Sequence, residues 1–62
     1  MLSAAVRQVY DVVRNNHGLN TNQIAERLKR AASTVENQLT TLKKKGLIEH
    51  RGAAKTGGYY PL

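Results

Sequence analysis

A chain of 62 residues with ten Lys and Arg against four acids, a formal net charge of +6 and no cysteine has room for one domain with a small aliphatic core. Disulfide scaffolds, thiolate zinc sites and most catalytic clefts are thereby excluded. No apolar run reaches the roughly 18 residues of a membrane span and no signal-peptide core is present, so no membrane contact and a cytoplasmic location are expected. An isoelectric point near 10.2 is the electrostatic footprint of a nucleic-acid binder.

In chain order, Val6, Val9, Tyr10 and Val13 recur at i, i+3, i+4 and i+7, one face of a helix. Ser3 can cap its start, and Gly18 supplies a left-handed residue at its end. The first helix is predicted at about 3–16. Asn20 stands three residues before Gln23, a capping-box pair, and Ile24, Ala25 and Leu28 form an apolar stripe, which predicts a second helix at about 21–28. After the turn Lys29-Arg30-Ala31, Val35, Leu39 and Leu42 mark a third helix at about 32–45, stopped by Gly46. Leu47 to Arg51 reads as a strand and Tyr59-Tyr60 as a returning one, with Pro61 holding that strand to an edge or end. The hairpin spans about 47–61. In its turn Gly57 and Gly58 permit positive φ. The fold expected is mainly α with a small β-hairpin, in a single domain over 1–62. Helices two and three are joined by about three residues, the connection of a helix-turn-helix, and the hairpin must pack on the helices to persist.

The stretch TNQIAERLKRAASTVENQLTTLKKKGLIEHRG resembles the helix-turn-helix of bacterial and archaeal winged-helix DNA-binding domains. The resemblance extends from Val6 to Tyr60. The ending GLIEHRGAAKTGGYY is similar to the C-terminal winged helix of RecG-related, helicase-like proteins and transcriptional regulators. The resemblance implies a double-stranded DNA-binding module, in a transcription regulator or as the targeting domain of a larger protein. The chain departs from the pattern at the turn. Lys29 stands where glycine is frequent, Arg30 where an aliphatic residue is, and Ala31 is a poor N-cap.

In a helix-turn-helix the N-terminal part of the second helix enters the major groove. The expected base-reading residues are Ser33, Thr34, Asn37, Gln38 and Thr41. Asn37 leads because an amide pairs bidentately with adenine. Glu36 would repel phosphate but can accept from a cytosine amine. Backbone contact is expected from Thr21 at the start of the second helix, and from Lys43, Lys44, His50, Arg51, Lys55 and Thr56 at the end of the third helix and along the hairpin. The Lys43–Lys45 run would equally complement that helix's dipole.

Enzymatic patterns fail on spacing. The Lys55-Thr56 pair precedes its glycines and no helix follows, so it is not an NTPase phosphate loop. Neither Ser3 nor Ser33 opens the S-x-x-K that a Lys-Thr-Gly strand requires. His17 and His50 have no carboxylate cluster beside them, so no metal, cofactor or catalytic role is expected. The competing use of the fold is protein association through the first helix or the hairpin edge. A homodimer or a neighbouring domain is expected in either case, since one short helix reads few bases.

Overall fold

The computed structural model describes residues 2–53 and 56–62. Three helices, α1 (Ala4–Asn15), α2 (Thr21–Leu28) and α3 (Ala32–Lys44), precede an antiparallel hairpin of β1 (Ile48–Arg51) and β2 (Gly58–Pro61). These bounds fall within a residue or so of those expected. The predicted capping residues act as such. Ser3 Oγ accepts from Val6 N–H at 3.2 Å. Asn20 and Gln23 satisfy each other's backbone N–H at 2.8 and 2.9 Å.

The apolar stripes meet in one core. Val9 and Val13 of α1, Ile24 and Ala25 of α2, Val35, Leu39 and Leu42 of α3 and Ile48 of β1 are buried. Tyr59, Leu19, Val6 and Tyr10 pack around them. No buried side-chain polar atom lacks a partner among the described residues. Burying a full aliphatic side chain contributes about 1.5–3 kcal/mol, so these few residues carry most of what holds a chain this short.

Two helix ends use the same device with different residues. At the end of α3, Leu47 N–H donates to Leu42 O at 3.1 Å and Gly46 N–H to Lys43 O at 3.0 Å, with Gly46 at φ 72°. At the end of α2, Arg30 N–H donates to Ala25 O at 3.0 Å and Lys29 N–H to Glu26 O at 3.2 Å. Both are Schellman closures, which place one residue in the left-handed region. Glycine fills that position in α3. In α2 it is Lys29, at φ 53° and ψ 47°. Ala31 then leads into α3 with no side-chain cap, as its identity dictates.

The hairpin gains a third partner that the periodicity did not reveal. Gly18 N–H donates to Tyr59 O at 2.9 Å, and Tyr59 N–H to Leu19 O at 2.8 Å. Leu19 thus forms a one-residue strand against β2 and ties the hairpin to the end of α1. This contact corrects the expected role of the two turn glycines. Positive φ occurs at Gly18, Gly46 and Gly52, not at Gly57 or Gly58. Gly58 is required because a Cβ there would overlap the carbonyl of Gly18, and one on Gly57 would overlap the carbonyl of Arg51.

Candidate nucleic-acid interface

Helix α3 is buried along Val35, Leu39 and Leu42. At about 100° per residue, its outward side carries Ser33, Asn37, Thr40 and Lys44, all exposed. Thr34 is exposed beside them. Thr41 is half-buried, and its hydroxyl donates to Asn37 O at 3.2 Å. Thr40 makes the same bond to Glu36 O at 2.9 Å. Each hydroxyl keeps lone pairs free to accept.

Gln38 lies elsewhere. It is half-buried, and its Oε1 accepts from Arg30 Nη1 at 3.2 Å. The same guanidinium donates to Ala5 O at 3.0 Å and to Gln8 Oε1. Arg30 therefore clasps α1 to α3 across the turn. The Arg30 guanidinium thus faces α1 and α3, and it holds Gln38 away from the outer face.

On the side of α3 toward the hairpin, Glu36 and Lys43 join Asn20 and Thr21 at the start of α2 and His50 and Tyr59 of the hairpin. These six residues line an open groove of about 360 Å³. The register explains the hairpin's share. His50 is opposite Tyr59 in the ladder, and their rings meet edge to face at 5.0 Å. Successive strand residues point to opposite faces. Arg51 consequently lies on the other face, paired with Glu49 and stacked 4.6 Å above the ring of Tyr60. Tyr60 in turn sits beside His17, with ring centroids 6.2 Å apart. Arg51 and His50 are adjacent in sequence yet serve opposite surfaces.

Of the expected backbone contacts, Thr21, Lys43 and His50 converge on the groove, with Lys44 exposed on α3 beside it. Thr56 is exposed near the hairpin turn, and Lys55 lies outside the described residues. The sequence reading missed that Asn20 and Tyr59 share this groove. The seven-residue spacing of Glu36 and Lys43 puts both on one side of α3, but nothing local in the sequence brings Asn20 and Tyr59 to them. Among the described residues, no group of three or more His, Asp or Glu could hold a metal ion, and no helix is long and apolar enough to cross a membrane.

Three helices, a tight turn between the last two, a one-residue strand and a terminal hairpin define a winged helix. Residues 2–62 match the family "Winged helix-turn-helix transcription repressor, HrcA DNA-binding", and the chain belongs to that family. Among solved structures it is similar to a MarR family protein from Bacillus stearothermophilus, with a TM-score of 0.87 and 11% identity over 98% of this chain and 44% of that one. It is also similar to a point mutant of MepR from S. aureus, with a TM-score of 0.85 and 26% identity over 98% of this chain and 48% of that one. A second MepR mutant, from a multidrug resistant S. aureus clinical isolate, has a TM-score of 0.77 and 23% identity over 100% of this chain and 48% of that one. The chain thus spans under half the length of the proteins it superposes on. No curated protein matches it in sequence.

Proposed function

We propose that this domain binds double-stranded DNA as the operator-reading part of a cytoplasmic transcription repressor. Helix α3 enters the major groove, with Ser33, Thr34, Asn37 and Thr41 toward the base edges. Where α2, the end of α3 and the hairpin meet, Thr21, Lys43 and His50 contact the phosphate backbone. Thr21 offers a hydroxyl and the start of α2 offers backbone N–H groups and a positive dipole end. Lys43 and Lys44 supply charge, and His50 offers an imidazole N–H to phosphate oxygens. Thr56 extends the contact near the hairpin turn, and Lys55 adds a charge. The observation that carries this proposal is the convergence of Thr21, Lys43 and His50, from three different elements, on one open groove beside the exposed face of α3.

The same contacts would serve as a DNA-targeting module in a larger RecG-related protein. The repressor role is preferred because the matched family is one of repressors. Protein association without DNA is less well supported, since Leu62 is the one exposed large hydrophobic among the described residues.

A salt titration with duplex DNA tests the proposal, with Asn37→Ala and Lys43→Ala beside the parent. Lys43→Ala should weaken binding to all sequences and reduce the salt slope by about 1. Asn37→Ala should relax preference at one base pair, worth about 1–3 kcal/mol. Absence of binding at low salt refutes the proposal, and equal losses on every sequence remove Asn37 from readout.

A further inference from the structure

Glu36 has no place in a purely phosphate-binding groove. Its carboxylate is exposed on α3 and lines the same groove as Thr21, Lys43 and His50. Among the described residues, ion pairs join Arg14 to Asp11 and Arg51 to Glu49, and neither involves Glu36. Lys43, two helical turns along the same side, does not reach it within ion-pair distance. Among the described residues, Asp11 and Glu49 have cationic partners and Glu26 and Glu36 do not, and of these two only Glu36 lies where the proposed ligand is a polyanion.

An ionised carboxylate only accepts hydrogen bonds. Phosphate oxygens repel it, so against duplex DNA it is tolerated only where a base edge presents a donor. In the major groove the donors are the exocyclic amines of cytosine and adenine. Adenine carries its N7 acceptor beside the amine, which a carboxylate would also face. Cytosine presents the N4 amine without an acceptor of its own there. We propose that Glu36 is a specificity determinant that accepts from the N4 amine of a cytosine and lowers the affinity for every duplex lacking one at that position. This inference rests on the DNA-binding proposal above. It assigns the carboxylate the discriminating role that the lysines cannot have, because charge on phosphate carries no sequence information.

The test is selection from a random duplex library with the parent chain, Glu36→Gln and Glu26→Gln. Glu26 is also exposed, but it lies on the outer side of α2 near Leu19 and Gln23. Its substitution changes the net charge equally without touching the groove. The parent should enrich cytosine at one position per half-site, by at least about fivefold over the other bases. Glu36→Gln should lose that preference, drift toward adenine, which an amide pairs bidentately, and bind unselected duplex more tightly than the parent. Glu26→Gln should keep the cytosine. Far-UV circular dichroism verifies that all three chains are folded. An unchanged preference in Glu36→Gln, or an equal change in Glu26→Gln, overturns the role of Glu36 while leaving DNA binding standing. If none of the three chains binds any duplex at low salt, the DNA-binding proposal and this inference fall together.

Discussion

The left-handed residue at the end of α2 offers the sharpest test of how the turn is held. Lys29 closes a Schellman motif at φ 53° and ψ 47°, while the equivalent position after α3 is Gly46 at φ 72°. An L-residue in this region costs roughly 1–2 kcal/mol through the clash of its Cβ with the following carbonyl. Glycine avoids that clash but loses more backbone freedom on folding, roughly 0.5–1 kcal/mol. The Lys29 side chain is exposed and makes no hydrogen bond or ion pair among the described residues. Lys29→Gly should therefore stabilise the domain by about 0.5–1 kcal/mol. For a domain of this size one kcal/mol corresponds to about 4–8 °C, so the midpoint should rise by roughly 2–8 °C.

Thermal melts followed by far-UV circular dichroism measure the change. Lys29→Ala is the control, because it removes the same charge and keeps the Cβ. If the alanine variant gains as much as the glycine variant, the cause is relief of repulsion among cations and the backbone argument is wrong. The result also bears on function, since this turn sets the angle between α2 and α3 and so the shape of the groove.

Two other substitutions separate structural from functional residues. Arg30→Met should destabilise the domain by about 1–3 kcal/mol in urea titration, because it strips partners from Ala5 O, Gln8 and Gln38. Unchanged stability with weakened DNA binding would refute the clasp and make Arg30 a phosphate contact instead. Gly58→Ala should cost about 3 kcal/mol and abolish a cooperative melt, because its Cβ would overlap Gly18 O. Gly46→Ala, with open space around its Cβ, should lose only roughly 1–2 kcal/mol; equal effects would refute the close-approach explanation.

The helices were legible because their signals are local. Spacing of Val6, Val9 and Val13, capping by Ser3 and by Asn20 with Gln23, and the stop at Gly46 each act within a turn of chain. Contacts between distant segments were not legible. Arg30 looks like a surface cation until α1 brings the Ala5 carbonyl to it, 25 positions away. Gly58 looks like a turn residue until Leu19 docks as a strand. On α3, the outward position of Ser33 and Asn37 followed from helical phase alone. The opposite allegiances of His50 and Arg51 needed the strand register, and the groove needed three elements at once.

The distribution of charge also says how this domain must work. Its arginines are partly committed internally: Arg14 to Asp11 and the ring of Tyr10, Arg30 to the clasp, Arg51 to Glu49 and Tyr60. Around α3 the outward charge is lysine, at Lys43, Lys44 and Lys45. A compact ammonium on a flexible stem suits phosphate attraction more than the fixed geometry of base readout. Each neutralised phosphate contributes a salt slope of about 0.9. Two or three such contacts on one copy give a slope near −2 to −3, well short of the roughly 6–10 contacts that underlie strongly salt-dependent binding. One copy of the domain can therefore be steered to DNA by its charge without being held tightly. Two copies on adjacent half-sites would double the phosphate contacts and set the spacing between the helices in one step. A titration that gives a slope steeper than about −4 at one chain per site would contradict this account, since it would require phosphate contacts beyond those of the lysines around α3.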